Sequence, residues 1–559
     1  MTTVSAWPTL AQRPALERAV REAKAEHYLE AVNWYRESLK HGPDVPRIWY
    51  EMAICYITIG GAESAVAMLE ETLKREPDFE EARQALILAR DFLPETTIEA
   101  AAAERATWWD YEGAPLWPRG SMIDPSRGIP PAGAHRGAGY YDCKYRRFDN
   151  TPDPERPLRI GYLGGDFRMH SSAFIHSGII LHADTGVQTF CYATQEDAPP
   201  LHVEREVGAG HRVIQADAGF NTIVTEEYRR ASTFAYVGPL NDRELHGLIR
   251  ADQIDILVDL AGHSAANRLR VFARRAAPIQ ITAWGYATGT GCRTMDYFFA
   301  DPVTVPPHLR HHYCERIIDV PAIICLNPPY YMRRDPDDSM PGFEQDFPVI
   351  GDPPCLSGKP FTFGALTRGV KCSEETLGMW AEILRRAPGT RLVLKDASYD
   401  LADARARVFD FFDGLGYMAD RVVILGSSPH PDHVRTYAEI DLCLDPYPHA
   451  GGVGSLEALW MGVPTLTRVC DLPASRNTAS FYAALPQPSI ASWKMFITGD
   501  RENYIENAVG FAQPTFWPAL AQIRQELRGL FKASPLFAPN YAPRVHEVYR
   551  EAWREWCRA

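Results

Sequence analysis

Three short segments of this 559-residue chain carry residues whose types and spacing suit chemistry. The first is DPYPHAGGVGSLEALWMGVPTLT, beginning at Asp445, where an apolar run ends, Gly451, Gly452 and Gly454 permit close backbone approach, and SLEALWMG opens a helix. The free amides and positive dipole end of such a helix suit a phosphate group. No GK[ST] follows, so this is not a Walker loop, and it is not a GxGxxG after a first strand. The same glycines also fit a plain tight turn. Glu457 falls one turn into the helix, placed either to accept ribose hydroxyls or to complement the helix dipole. The second segment, LRIGYLGGDFRMH, puts His170 just past an apolar run, where an imidazole can act as a general base or hold a structural hydrogen bond. The third, FGALTRGVK, puts Lys371 after another such run, as a partner for a diphosphate or as a solvated surface charge.

Metal chemistry finds less support. HLRHHYCE carries His308, His311, His312 and Cys314, but the spacing matches no standard zinc ligand set, and DPDD at Asp335 has no strand before it. The expectation is a site without metal or cofactor. A departing diphosphate would then be stabilised by a Lys and by helix amides.

These residues need elements to position them. From Leu158 the chain alternates short β-branched runs, LRIGYLG, VQTFCYAT and IDILVDLAG, with amphipathic stretches such as DRELHGLIRADQ, the pattern of parallel βαβ units. The pattern restarts with FTFGALT, RLVLKDA, RVVILGS and DLCLDPY, after a Pro- and Asp-rich stretch around NPPYYMRRDPDDSMPGFEQDFPVIGDPP that reads as an interdomain linker. Two doubly wound domains facing each other would leave a cleft at the carboxyl ends of their strands.

The front of the chain repeats. At an offset of 34 residues Ala31 aligns with Ala65, Tyr35 with Leu69, Leu39 with Leu73, Lys40 with Lys74, Pro43 with Pro77 and Asp44 with Asp78. That is the period of the tetratricopeptide helix-turn-helix. Trp49, Ala53, Tyr56 and Gly60 fill the first helix of the next unit, and a further unit begins at Phe79 through Ala82, Leu86 and Ala89. Such repeats either cap the rest of the chain or offer a groove to a peptide or protein partner. Residues 100–156, with WWDYEGAPLWPRG, SRGIPPAGAHRGAG and NTPDPERP, read as a linker with aromatic anchoring.

Length asks for about three or four structural units. With 46% hydrophobic and 23% charged residues the chain is ordinary globular material. A net charge of −13 without a basic run disfavours a nucleic-acid binder. Eleven scattered Cys, none in a CxxC pair, suit a reducing compartment. The N-terminus shows no signal-peptide pattern and nothing approaches about 20 consecutive apolar residues, so a soluble, cytoplasmic protein without a membrane partner is expected.

Taken in order, the repeats, GYLGGDFRMH, IDILVDLAGHS, AAPIQITAWGYATGTGCRTMDYFFADP, LTRGVKCSEETLGMWAEILRRAPGTRLVL, PHPDHVRTYAEIDLCLDPYPHAGGVGSLEALWMGVPTLT and ASRNTASF resemble the protein O-linked N-acetylglucosamine transferases, a family that includes SPINDLY-type O-fucosyltransferases and bacterial cytoplasmic N-glucosyltransferases. The resemblance spans residues 157–555 with the repeats added. It implies an α/β GT-B fold of two Rossmann-like domains after an all-α tetratricopeptide segment, and an inverting, metal-independent sugar transfer from a nucleotide diphosphate. His170 matches the family His proposed as base or as a sugar and acceptor contact, and Lys371 the Lys that stabilises the leaving diphosphate. His433 matches the residue packing on the nucleobase, with Ser428 near the base edge. Glu457 stands where relatives have an acidic residue toward the ribose, and Gly452, Val453, Gly454 and Ser455 occupy the phosphate loop. The sugar and acceptor side falls to His263, Tyr286, Thr288 and Gly289.

This chain departs from the pattern in three places. GGVGS replaces HTT or VTT, leaving Ser455 as the one loop hydroxyl for the diphosphate; GYATGTG replaces GYPGTSG; and Arg368 replaces a smaller polar residue before Lys371. The expected organisation is repeats over 1–98, a linker over 99–156, one Rossmann-like half over 157–345, a nucleotide-sugar half over 346–525 and a helical tail over 526–559. The expected activity is transfer of N-acetylglucosamine or a related sugar from a UDP donor to Ser or Thr of a protein or peptide, with no cofactor, because the nucleotide sugar is itself the substrate. GDP-fucose and UDP-glucose stay open as donors, and a catalytically impaired repeat scaffold stays open as another class.

Overall fold

The computed structural model describes residues 8–116, 148–195, 204–207, 211–214, 223–286, 288–329, 351–416 and 418–558. Cys143, Asp335 with its DPDD segment, and most of the 99–156 and interdomain linkers lie outside the described residues. The chain divides into two compact units, one of residues 1–97 with 330–532, the other of 98–329 with 533–559.

In the first unit the repeats form helices α1 (Arg13–Lys24), α2 (Tyr28–Leu39), α3 (Pro46–Thr58), α4 (Ala62–Arg75) and α5 (Glu80–Arg90). Pro46 opens α3, where the missing N–H would have had no helical partner. Ala31 and Ala65, the pair aligned by the 34-residue offset, are fully buried, so small side chains let the helices approach. Two apolar clusters result: Ala19, Val32, Tyr35, Ile48 and Met52 in one, Val66, Leu69, Phe79, Leu86 and Phe92 in the other, with Tyr56 packed against both. Burying a Leu or Phe in this way contributes about 1.5–3 kcal/mol.

The second unit is built on a nine-stranded sheet: β1 (Leu158–Gly164), β2 (Val187–Ala193), β3 (Glu204–Val207), β4 (His211–Ile214), β5 (Thr233–Tyr236), β6 (Ile256–Asp259), β7 (Ile279–Thr282), β8 (Tyr297–Ala300) and β9 (Arg316–Asp319). The order is β3-β4-β5-β2-β1-β6-β7-β8-β9, parallel except for the β3–β4 and β4–β5 pairings. β1 runs between β2 and β6 and is buried except at Arg159, hence its otherwise apolar sequence. The predicted DRELHGLIRADQ helix is Asp242–Ala251, started by a capping box in which Asn241 and Glu244 satisfy each other's backbone amides.

Two boundaries differ from expectation. The linker reading of 99–156 fails at its first described end, while residues 148–156 carry no helix or strand. Residues Ile98–Trp108 form a helix followed by short helical turns to Leu116, because Ala-rich IEAAAAERATW holds the helix and Trp108 and Trp109 are buried. Glu112 in those turns accepts from Arg270 at 3.2 Å. Farther on, Arg156 pairs with buried Asp255 at 2.6 Å and stacks on Trp553. The 526–559 tail is likewise divided. Helix Trp517–Lys532 belongs to the first unit, where buried Arg524 donates to the carbonyls of Ile440 and Tyr437. Helix Ala538–Arg558 belongs to the second unit and buries Tyr541, Val545, Tyr549 and Trp553 there. Neither assignment can be made from periodicity, since an amphipathic helix does not state which core its apolar stripe meets.

The remaining strands of the first unit are β10 (Thr362–Leu366), β11 (Arg391–Lys395), β12 (Val422–Leu425), β13 (Leu442–Leu444), β14 (Thr465–Arg468) and β15 (Ile497–Thr498). They form an all-parallel sheet in the order β12-β11-β10-β13-β14-β15. The strand order reverses between β10 and β13, the kind of position where an open α/β sheet binds its ligand.

Candidate functional site

In the first unit, Lys371 ends a short helical turn, Gly369–Lys371, that follows β10, and the glycine-rich loop follows β13. The two segments at the switch point therefore meet. Lys371 is buried, and its Nζ donates to the carbonyl of Ala450 at 2.8 Å. Burial, then the neighbouring Arg368 charge, pull its pKa down to about 7. The alternative of a solvated surface lysine is thereby removed. His449, one residue before Ala450, is buried with Nδ1 lacking a hydrogen-bond partner among the described residues. Burial and the charges of Lys371 and Arg368 hold its imidazole neutral, well below the usual histidine range.

The next helix, Glu374–Arg386, is locked to the same loop. Its N-cap Ser373 accepts from Thr376 N, and the Ser373 and Thr376 hydroxyls donate to the Tyr447 carbonyl, each at 2.9 Å.

Helix Val453–Trp460 starts as SLEALWMG suggests. Its first amide to close onto a carbonyl is that of Leu456, onto Gly452, so the amides of Val453, Gly454 and Ser455 precede the ladder and face outward from the helix end. Gly454 is required by contact: a Cβ there would lie 2.8 Å from the Leu366 carbonyl at the end of β10. The Ser455 hydroxyl does not project to a ligand. It donates to buried Asp445 Oδ1 at 2.9 Å, the same oxygen that accepts Gly451 N at 3.0 Å. The expectation of Ser455 as the loop hydroxyl for a diphosphate thus meets a competing acceptor, because the buried carboxylate takes that donor.

Glu457 is buried and accepts from His430 Nε2 at 2.7 Å, with His433 Nε2 at 3.8 Å. His430 and His433 stack with ring centroids 6.0 Å apart, and burial lowers the His433 pKa. The buried Ser428 hydroxyl has no partner among the described residues. Lys371, Ser428, His433, Gly452, Val453, Gly454, Ser455 and Glu457 thus share one unit, with Glu457 bound to a histidine that the sequence reading passed over.

The second unit carries the other set. His170 follows β1 and is partly exposed, its Nδ1 accepting from Ser172 N at 3.2 Å and lying 3.3 Å from Asp166 Oδ2. Nδ1 serves one of these partners at a time: unprotonated it accepts from Ser172 N, and protonated it donates to Asp166 and leaves Nε2 as the basic nitrogen. Asp259, at the end of β6, accepts from the amides of Ala261 and Gly262 and from Thr282 Oγ1, while burial raises its pKa to about 6. It shapes the turn that delivers His263. His263 Nε2 lies 2.7 Å from the Thr290 carbonyl and must donate its proton there, leaving buried Nδ1 as an acceptor without a partner among the described residues. Burial lowers the His263 pKa to about 3, and Trp108 meets its ring edge-on. Tyr286, Thr288 and Gly289 lie on the adjoining loop, which Glu315 anchors by accepting from Thr290 N and Oγ1 at 2.6 Å. Asp166, Asp259, Glu315 and Asp445 were not foreseen, since their partners are distant in the chain or identified only by geometry.

The HLRHHYCE residues do not assemble as ligands. The His311 and His312 rings meet at 3.9 Å with a 39° tilt, His312 faces Glu99, and partly buried Cys314 donates to Glu315. Among the described residues the group of potential ligands with atoms within 4.8 Å of one another is Glu22, His27 and Glu30, on the repeats. No described helix is long and apolar enough to cross a membrane.

Fold and site together define a tetratricopeptide protein with two parallel α/β sheets of GT-B type. Residues 141–328 and 359–544 match Glycosyl transferase family 41, residues 22–90 match a tetratricopeptide repeat family, and the chain belongs to glycosyl transferase family 41. It is 28% identical over 432 residues to a probable UDP-N-acetylglucosamine--peptide N-acetylglucosaminyltransferase SPINDLY of Solanum lycopersicum, covering 76% of this chain and 42% of that protein. The Arabidopsis thaliana protein of that name is also 28% identical, covering 76% and 43%. The chain spans under half the length of these curated relatives. An O-GlcNAc transferase mutant from Thermobaculum terrenum shares the fold with a TM-score of 0.75 at 26% identity, over 98% of this chain and 91% of that one.

Proposed function

We propose that this protein is an inverting glycosyltransferase that moves N-acetylglucosamine, or a closely related sugar, from a UDP donor to a Ser or Thr hydroxyl of a protein acceptor, without a metal. The observation that carries the reading is buried Lys371 beside the amides that open helix Val453–Trp460, at the switch point of a parallel sheet. A diphosphate is the ligand whose charge and oxygens fit that combination. The names borne by the relatives support UDP-N-acetylglucosamine and a peptide acceptor.

In this reading the acceptor hydroxyl attacks the anomeric carbon as the bond to the β-phosphate oxygen breaks. Its proton passes to the imidazole of His170, which Asp166 orients, and Lys371 with the helix amides takes up the charge on the leaving diphosphate. His433 and Ser428 serve the nucleobase, and His263, Tyr286, Thr288 and Gly289 the sugar and acceptor. The repeats are the proposed route for the protein acceptor. A cytoplasmic location is part of the proposal and is supported by ten free cysteines among the described residues.

The test is a thermal-shift panel of UDP, GDP and their sugars, followed by transfer assays with EDTA present. A ligand that binds only the native state must raise its melting point. UDP and UDP-N-acetylglucosamine are expected to raise it, Lys371→Met to remove most of that rise, and His170→Ala to abolish transfer while keeping it. A protein that no nucleotide stabilises, or a Lys371→Met variant with full turnover, would overturn the reading. A preference for GDP-fucose or UDP-glucose would change the donor alone.

A further inference from the structure

The repeats do more at their end than continue a superhelix. Phe92 follows α5, is fully buried, and belongs to the apolar cluster of Leu69, Phe79 and Leu86. Its ring lies 5.0 Å from the ring of His449, tilted by 34°, and the Arg368 guanidinium lies over it at 5.7 Å. Val370, the neighbour of Lys371, packs against the same repeat cluster. The turn between α3 and α4 presses on the segment too: at Gly60, with φ +86°, a Cβ would stand 3.0 Å from the Gly369 carbonyl. The Lys371 segment is therefore held from the repeats by Phe92, Val370 and Gly60, and from its own sheet by Asp396, which accepts Gly369 N at 3.2 Å.

We propose that Phe92 is a positioning residue for Arg368, His449 and the Lys371 segment, so that the repeat array supplies one wall of the phosphate end of the donor site. The proposal rests on the donor-site reading for its function, though not for its geometry. His449 has a buried ring nitrogen with no partner among the described residues, and Phe92 is the ring that packs against it. The groups that set the Lys371 charge are Arg368, Asp445, Cys372 and Asp396, with His449 facing it from the glycine-rich loop. Of these, Arg368 and His449 touch Phe92. Loss of the aromatic face removes the ring contact that holds the exposed Arg368 guanidinium on this side, its repulsion of Lys371 weakens, and Lys371 holds its proton to higher pH.

The experiment follows Lys371 directly in the ligand-free full chain, by NMR of lysines labelled at Cε with the resonance assigned through Lys371→Arg. Phe92→Leu keeps apolar volume and removes the ring, Phe92→Tyr restores a ring, and Leu86→Ala weakens the same cluster away from the segment. Phe92→Leu is expected to raise the Lys371 titration midpoint by about half a pH unit or more and, measured at about pH 6 where Lys371 is charged in parent and variant alike, to weaken UDP binding by roughly three- to tenfold through the lost placement. Phe92→Tyr should return both toward the parent, and Leu86→Ala should lower the melting point with neither changed. An unchanged midpoint in a folded Phe92→Leu variant, or the same shift in Leu86→Ala, overturns the proposal. If the parent binds no UDP, the donor reading fails by itself, and the midpoint still decides the positioning role.

Discussion

Lys371 is an ammonium kept in a place that favours its neutral form, and in the proposed function that makes diphosphate binding a protonation event. With its pKa near 7 instead of the ordinary 10.5, the side chain is largely charged below that pH and loses its proton above it. A bound diphosphate favours the charged form and raises the pKa. Donor affinity should therefore be flat below about pH 7 and fall by up to about tenfold per pH unit above it, until the raised pKa of the complex is reached. Calorimetry with a UDP-sugar, whose phosphates hold no proton to lose near neutrality, measures this. Lys371→Met should bind weakly with no such slope; a slope that survives in the variant would assign the proton elsewhere. Neighbours matter as much as the residue. Ser455 serves Asp445, Glu457 serves His430, and His263 is fixed in one tautomer by Thr290.

At the scale of elements, the helix Val453–Trp460 works because its start is pressed against the end of β10. Gly454 sets that distance, a Cβ meeting the Leu366 carbonyl at 2.8 Å. Gly454→Ala should push the helix start away, costing about 1–3 kcal/mol of stability and weakening UDP binding by roughly tenfold. Gly510→Ala is the control: that glycine lies in helix Arg501–Phe511 with nothing within 4 Å, and the change should be neutral or slightly stabilising. Thermal unfolding and UDP titration of both variants read the outcome. Equal affinities in the two would show that the amides need no such placement. The repeats obey the same close-packing logic, since Ala31 and Ala65 are small where helices meet.

Across the whole molecule, chain order and spatial grouping part company. Helix Ala538–Arg558 closes the unit that begins at Ile98, burying Tyr541, Tyr549 and Trp553, while the preceding helix Trp517–Lys532 stays with the other sheet. A chain ending at Lys532 should therefore lose protection in residues 98–329 and keep it in 351–532 on limited proteolysis. Uniform protection would show that the last helix is dispensable. The sequence by itself determined the repeat period, both runs of parallel strands, the helix after the glycine-rich loop and the candidates His170 and Lys371, because alternation, periodicity and glycine placement act over a few residues. Only the tertiary structure decided that the stretch after Thr97 is helical and packed, that the tail divides between two units, that Ser455 faces Asp445, and that Phe92 meets His449 and Arg368. Those contacts join residues tens to hundreds of positions apart, and burial changes their charge states. No local pattern encodes which distant side chain a buried group must satisfy.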